Sequence, residues 1–270
     1  MHTTLSIKAF PHDFLPLSHE FRQILQQRRI TSLYQPIMNI EACTILGWEA
    51  LSRGPSGSHL QSPAVLFETA EQVGKLFALE KICREKAIRG AGSMRQGQKL
   101  FLNIHPRTMA DPEFTPGKTM GLLESAGLSA ANIVFEVTER HSIHDFDLFC
   151  RTLSHYRNQG FQVALDDAGT GYSNLSALAA LQPEYIKLDK SLIADIHQDR
   201  IKRALVETLV TFANKIGSVI ICEGLETREQ LVCVKSLGAH YGQGYHLARP
   251  ANPRPNLSRA CVEMLHVKSA

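Results

Sequence analysis

The sequence predicts an α/β protein built as one (β/α) barrel of the TIM kind, and three observations favour that fold. The chain has 270 residues, and such barrels reach roughly 200–250 residues as a single unit. Its strand candidates are near-continuous apolar runs, which are typical of parallel sheets covered on both faces. The runs alternate with helical patterns, as successive βαβ units require.

A helix and a hairpin precede the regular alternation. Apolar residues at helical spacing predict a helix over 17–28. Two extended runs at 33–38 and 45–51 flank turn-forming residues and predict a β-hairpin. The polar segment 52–62 contains glycine and proline and predicts a loop. Pro63 then stands where the next helix would begin, after a serine that can cap it.

Beyond that helix start the chain alternates between apolar strands and amphipathic helices. Strands are predicted at 99–104, 132–137, 161–166, 185–188 and 218–223. The clearest helical patterns lie at about 75–90, 146–158, 200–215 and 227–237. A doubly wound open sheet is the rival arrangement, but no GxGxxG follows the first strand. Five or six such units after a hairpin therefore favour the barrel.

Composition excludes several classes of protein. The chain is 44% hydrophobic and 20% charged with a net charge of +3, too mild a surplus for a polymeric nucleic acid or membrane surface. No apolar run approaches the roughly 18 residues of a membrane span, and no secretory signal is visible. The 6 cysteines are scattered without a CxxC pair, so we expect reduced thiols and no zinc site. A cytoplasmic protein is predicted.

Polar side chains interrupt the apolar strands, mostly near their carboxyl ends. They are Glu49, Asn103, Glu136, Asp166, Asp167, Lys187 and Glu223. A charged group in a buried strand costs several kcal/mol unless it is paired or binds a metal. Since the carboxyl ends of barrel strands meet at one face, where barrel active sites lie, we expect these residues to form one site.

The charge balance of that site indicates metal. Five carboxylates face one cation, Lys187, and oxygen ligands without His or Cys favour Mg²⁺ or Mn²⁺. The adjacent pair Asp166-Asp167 could bridge two ions about 3.5–4 Å apart, as in metal-assisted phosphodiester hydrolysis. The alternative interpretation is a set of separate surface carboxylates at strand ends.

Eight motifs occur in order between Tyr34 and Pro250. They are Tyr34-Gln35-Pro36-Ile37, Glu49-Ala50-Leu51 with Arg53, Leu102-Asn103-Ile104, Glu136-Val137-Thr138-Glu139, Leu165-Asp166-Asp167-Ala168-Gly169-Thr170-Gly171-Tyr172-Ser173, Ile186-Lys187-Leu188-Asp189, Cys222-Glu223-Gly224-Leu225-Glu226-Thr227 and Gln243-Gly244-Tyr245. On these motifs the sequence resembles the EAL domain family, bacterial phosphodiesterases of cyclic di-GMP. The resemblance implies a modified TIM (β/α)8 barrel over 31–255 with its first strand antiparallel, after an N-terminal segment 1–30 with a short helix and before a C-terminal helix or tail 256–270.

The resemblance also implies two divalent cations, Mg²⁺ or Mn²⁺, with Ca²⁺ inhibitory. Their ligands would be Glu49, Asn103, Glu136 and Asp166 for one ion, and Asp166, Asp167 and Glu223 for the other. Catalytic roles are implied for Lys187, which would orient the attacking water, for Glu223 as a general base, and for Gln243, which would support the water or the second metal.

Other positions carry implied roles in substrate binding and support. Gln35, Leu51 and Arg53 match positions that hold a guanine and a phosphate of cyclic di-GMP. Glu139 would anchor the loop after the two aspartates, and Glu226 would support the site from outside the ligands. The implied product is linear pGpG, and a homodimer is left open.

The sequence departs from the family pattern in the loop that follows the two aspartates. Ala168 stands where the family usually has Phe, and that loop is linked in the family to metal-site order and to dimerisation. The alternative function is therefore a catalytically weak or inactive EAL domain that acts as a cyclic di-GMP receptor or scaffold. All eight ligand and catalytic positions are retained, which favours the enzyme.

Overall fold

The computed structural model describes residues 14–105, 116–138, 146–169 and 180–257, together with Thr108 and Leu178. Eight strands form a closed barrel in sequence order. They are β1 (Thr31–Asn39), β2 (Thr44–Arg53), β3 (Lys99–Asn103), β4 (Ile133–Thr138), β5 (Gln162–Ala168), β6 (Tyr185–Leu188), β7 (Val219–Cys222) and β8 (Tyr241–Gly242). β1 pairs antiparallel with β8, whereas the pairs from β2–β3 to β7–β8 are parallel. The predicted barrel with an antiparallel first strand is confirmed.

Helices lie before β1 and between most pairs of consecutive strands. Within the described residues the α-helices are α1 (Phe14–Gln27), α2 (Pro63–Gln72), α3 (Leu76–Gly90), α4 (Pro116–Ser125), α5 (Phe146–Arg157), α6 (Lys190–Ile193), α7 (Arg200–Ile216) and α8 (Arg228–Ser236). Short 3₁₀ turns lie at His59–Gln61 and Ala130–Asn132. The predicted helices match α1, α3, α5, α7 and α8, and α2 begins at Pro63 as predicted.

Local sequence signals fix the ends of the longest helices. α7 starts after Asp199, whose carboxylate accepts hydrogen bonds from the backbone amides of the first turn, and ends at Gly217 with a φ of 75°. α8 starts with a capping box, in which Thr227 accepts from the Gln230 amide while the Gln230 side chain accepts from the Thr227 amide. These caps set where each helix follows its strand.

A buried apolar layer fills the barrel and supports the polar residues. It contains Ile37, Phe101, Val134, Ala164, Tyr185 and Ile221. Because side chains along a strand alternate between faces, a residue two positions further on shares the same face. Each core residue on a parallel strand is followed two positions later by a polar one, in the pairs Phe101 and Asn103, Val134 and Glu136, Ala164 and Asp166, Tyr185 and Lys187, and Ile221 and Glu223. The alternation therefore places the polar layer directly above the apolar one.

The chain divides into two compact units. One unit contains residues Met1–Thr31 and Ser52–Lys86, and its apolar cluster includes Phe21, Ile24 and Leu66. The other contains Ser32–Leu51 and Ala87–Ala270 and holds most of the barrel strands. The predicted boundaries after residues 30 and 255 stay predictions.

The segment after β8 contacts residues of β1 and β2 within the second unit. Ala251 exchanges two backbone hydrogen bonds with Tyr34. The indole of Trp48 donates to the Pro255 carbonyl, and the Arg254 guanidinium lies 4.2 Å above the indole ring. No helix among the described residues has the length and apolar character to cross a membrane.

Candidate active site

The polar residues of the strands converge around the ammonium of Lys187, which lies on β6 and is 1% exposed. Its Nζ lies 2.7 Å from Glu136 Oε1 and 2.7 Å from Glu223 Oε1. It also lies 3.2 Å from Asp166 Oδ1 and 3.5 Å from Glu49 Oε2. Burial alone would lower the pKa of Lys187, but the four carboxylates raise it well above its ordinary value. Lys187 is therefore a fixed positive charge.

The carboxylates around Lys187 differ in their protonation behaviour. Burial and the charges of Glu49 and Asp166 raise the pKa of Glu136 well above its ordinary value. Burial likewise raises the pKa of Glu223 to about 8, with Asp166 and Glu49 contributing, against the opposing effect of Lys187. For Glu49, burial is outweighed by Lys187 and by hydrogen bonds from Gln243 and Asn103, so its pKa is lowered. The single positive charge of Lys187 cannot balance the negative charges of all the surrounding carboxylates when they are ionised.

A bulge in β5 brings two consecutive aspartates to the same site. Leu165 pairs with Ile186 and Ala168 with Leu188, so two residues of β5 lie opposite the single Lys187 of β6. Adjacent residues of a regular strand would point to opposite faces. Asp167 has a φ of 59°, in the left-handed region that Asp tolerates better than most residues. Carboxylate oxygens of Asp166, Asp167 and Glu223 lie within 4.8 Å of one another.

Close backbone packing after β7 and β8 positions Glu223 and Gln243. The Glu223 amide donates to the Leu188 carbonyl, and the Gln243 amide donates to the Cys222 carbonyl. Gly224 follows with a φ of 67°, and a Cβ there would lie 2.5 Å from the Cβ of Lys190. Both the positive φ and the close approach favour glycine at the position after Glu223.

Side-chain amides complete the polar layer. Asn103 Nδ2 donates to Glu49 Oε1 and to Glu136 Oε2, each at 3.1 Å. Gln243 Nε2 donates to Glu49 Oε2 at 2.6 Å and to Gln35 Oε1 at 3.2 Å. Gln35 Nε2 in turn donates to the Ala248 carbonyl at 3.2 Å. This link between Gln35 and Gln243 was not predicted, since 208 positions separate the two residues and no sequence pattern joins them.

The structure brings together nine of the predicted site residues through these contacts and the aspartate bulge. They are Gln35, Glu49, Asn103, Glu136, Asp166, Asp167, Lys187, Glu223 and Gln243.

The remaining predicted positions lie elsewhere or are not described. Leu51 is half-buried at the end of the second unit's first segment. Arg53 belongs to the other unit, where its Nη1 donates to the Ser52 carbonyl. Glu226 is exposed, with its backbone amide bonded to the Gln230 side chain. Glu139 lies outside the described residues. The roles of these positions stay predictions.

The residues present fit a pair of hard divalent cations. Five carboxylates and one ammonium leave a formal charge of −4 when all are ionised, which two divalent cations would balance. The donors are carboxylate and amide oxygens, which suit Mg²⁺ or Mn²⁺. For Asn103 to act as a ligand, its amide must rotate so that the oxygen replaces the nitrogen now facing Glu49 and Glu136.

The fold and the site define a TIM-type barrel with a cluster of acidic residues, suited to metal binding, at the carboxyl ends of its strands. The sequence profile of the EAL domain matches residues 18–250. The chain belongs to the EAL domain family.

One curated relative is the probable cyclic di-GMP phosphodiesterase PdeG of Escherichia coli strain K12. It is 30% identical over 235 residues, covering 85% of this chain and 46% of PdeG. The chain thus spans about half the length of this relative.

Solved structures of EAL proteins are similar to this chain in fold. A standalone EAL protein of Vibrio cholerae O395 in its c-di-GMP-bound form has a TM-score of 0.77 and 29% identity, covering 86% of this chain and 97% of that one. The manganese and cyclic di-GMP complex of Klebsiella pneumoniae BlrP1 at pH 6 has a TM-score of 0.75 and 32% identity, covering 83% and 56%. A calcium complex of BlrP1 is similar as well.

Proposed function

We propose that this chain hydrolyses cyclic di-GMP to linear pGpG with the help of two divalent cations, Mg²⁺ or Mn²⁺. The observation that carries the proposal is the cluster of four carboxylates around one buried lysine, with a fifth, that of Asp167, beside Asp166 and Glu223. Membership of the EAL family and the likeness to cyclic di-GMP complexes supply the substrate. Burying so much charge costs stability, so we infer that the arrangement serves chemistry.

The proposed metal ligands follow from the sequence and from the contacts. Glu49, Asn103, Glu136 and Asp166 would hold one cation, and Asp166, Asp167 and Glu223 the other. When bound, the two ions supply an activated water and neutralise charge at the phosphate. The bulge in β5 supports the shared role of Asp166, because it turns both aspartates towards the same point.

The chain's own groups would perform the remaining tasks. Lys187 would orient the attacking water and oppose negative charge that develops at phosphorus, since its ammonium is fixed among the ligands. Glu223 would take the proton of that water. Leu51 would contact a guanine, and the Arg53 guanidinium would bind a phosphate through two parallel hydrogen bonds.

The alternative proposal is a receptor or scaffold that binds cyclic di-GMP without turnover. The observation that favours it is Ala168, a small buried residue at the end of the bulged strand, where the family usually has Phe. An altered loop after the aspartates would impair metal order and leave the barrel intact.

Hydrolysis of cyclic di-GMP by the purified chain decides between the two. We expect pGpG with Mg²⁺ or Mn²⁺ and none with EDTA or Ca²⁺, with Glu49→Ala as a folded, inactive control. Tight binding without turnover by the wild-type chain would favour the receptor. Absence of both binding and turnover would contradict both proposals.

Two further proposals concern the cellular location and the oligomeric state of the chain. We propose a cytoplasmic site of action because the five cysteines of the described residues form no disulfide, as expected in a reducing compartment. We also propose a homodimer, by analogy with family members that dimerise through the barrel. Light scattering of the purified chain tests the latter, and a monomer at all concentrations would contradict it.

A further inference from the structure

Both ends of the Gln35 side-chain amide form hydrogen bonds with other groups of the protein. Its Nε2 donates to the Ala248 backbone carbonyl, and its Oε1 accepts from Gln243 Nε2. The residue is 7% exposed, so little of it is available to a substrate. Its contacts point instead towards the metal centre.

The direction of this hydrogen-bond chain is fixed from one end. A backbone carbonyl can only accept, so the end of Gln35 that faces Ala248 must be its NH₂ group. The other end of Gln35 is then an oxygen, which can only accept, so Gln243 must turn its own NH₂ group towards it. This removes the ambiguity that side-chain amides otherwise carry.

The orientation of Gln243 has two consequences for the site. The second hydrogen of its Nε2 is donated to Glu49 Oε2 at 2.6 Å; the reverse orientation would set two acceptor oxygens against each other. Both hydrogens are then used, and Gln243 Oε1 is buried without a hydrogen-bond partner among the described residues. A buried acceptor without a partner is costly, so this oxygen is suited to a hydrogen-bond donor that enters with metal or substrate.

We propose that Gln35 is a positioning residue of the metal centre, which acts through Gln243. It holds the Gln243 amide so that the nitrogen supports Glu49 and the oxygen is presented to a water of the site. The proposal concerns the metal centre of the proposed function and assigns Gln35 a task other than contact with guanine. Groups that orient metal ligands typically change metal affinity or activity by roughly 10- to 100-fold when removed.

A double-mutant cycle tests the proposal. Gln35→Met, Gln243→Met and the double variant are compared with the wild-type chain for Mn²⁺ affinity by calorimetry without substrate, and for kcat and KM with cyclic di-GMP. We expect Gln35→Met to weaken Mn²⁺ binding and to lower kcat by roughly 10-fold, with KM changed less than about twofold. In the Gln243→Met background the same change should have almost no further effect, since its partner is gone.

A matched control removes a different buried hydrogen bond from the same strand. Tyr34 donates through its hydroxyl to the Ala87 carbonyl, so Tyr34→Phe should leave Mn²⁺ affinity and kcat unchanged. If Gln35→Met does not fold, Gln35→Leu carries the same expectation. Loss of Mn²⁺ affinity in Tyr34→Phe equal to that in Gln35→Met would overturn the proposal, because any lost bond on β1 would then suffice.

The remaining outcomes separate this proposal from the proposed function. A raised KM with unchanged Mn²⁺ affinity and kcat would overturn it in favour of guanine contact, and so would equal effects of Gln35→Met in both backgrounds. If the wild-type chain binds Mn²⁺ without hydrolysing cyclic di-GMP, the proposed function fails, and coupled losses of Mn²⁺ affinity still support the role of Gln35. A wild-type chain that binds no Mn²⁺ would overturn both.

Discussion

Replacing Lys187 with Met removes the one cation that, within the described part of the chain, lies among the site's carboxylates. The ammonium is 1% exposed and contacts four carboxylates at 2.7–3.5 Å. Removing one partner of a buried ion pair costs about 3–5 kcal/mol. In EDTA we expect the free energy of unfolding to fall by an amount in the upper part of that range. Proton uptake at Glu136 and Glu223, whose pKa values are already raised, limits this loss.

The assay is urea unfolding of the wild-type chain and of Lys187→Met, each with EDTA and with Mn²⁺. Divalent cations bring positive charge to the same carboxylates, so Mn²⁺ should recover most of the lost free energy of unfolding. Low pH should also reduce the difference in free energy of unfolding between the wild-type chain and Lys187→Met, since protonated carboxyls no longer repel one another.

A surface lysine provides the control for this experiment. Lys235 lies 3.6 Å from Glu41, and both side chains are exposed, so Lys235→Met should change stability by less than about 1 kcal/mol. The reasoning about Lys187 would be refuted if Lys187→Met were as stable as the wild-type chain in EDTA. Equal losses for the two lysines would also refute it.

Three further predictions concern the bulge, a glycine and a histidine. Asp167→Asn keeps a residue that tolerates a φ of 59° but removes a charge. Calorimetry should therefore show Mn²⁺ binding weakened by at least about 10-fold, with thermal stability unchanged. Unchanged Mn²⁺ affinity would exclude Asp167 as a ligand. Gly224→Ala should cost about 1–3 kcal/mol in urea unfolding and lower turnover, because its φ is 67° and its Cβ would clash with Lys190; a stable, fully active variant would show that this loop adapts. His240 accepts the Ile220 amide hydrogen at its Nδ1, and burial lowers its pKa. The unfolded state therefore binds more protons, and stability should be lost as the pH falls below about 6.5; urea unfolding of His240→Gln across that range should show a smaller loss, and an identical loss would contradict the assignment.

Strands β3 to β7 and the polar residues they carry could be predicted because both follow from local pattern. An apolar run with one charged residue near its end specifies a buried strand and a site residue together, as Val134 and Glu136 illustrate. The antiparallel direction of β1 came from family resemblance, although the hairpin is consistent with it.

Other elements were missed for physical reasons. β8 comprises only Tyr241–Gly242, too short for any periodicity, and its pairing with β1 and β7 defines it. α4 (Pro116–Ser125) has a weakly apolar sequence with two glycines, which gives little helical signal. The bulge at Asp167 depends on register between β5 and β6, and register is a property of two strands.

The two layers of the barrel make opposite contributions to stability, and this bears on function. The apolar layer around Phe101 and Ile221 lies directly beneath the site and supplies favourable burial. The polar layer gathers four carboxylates around Lys187, with Asp167 beside them in a left-handed backbone conformation, and both features oppose folding. A barrel kept only as a scaffold would gain stability by exchanging these residues for apolar ones. Their joint presence is therefore better explained by metal binding and catalysis than by the needs of the fold.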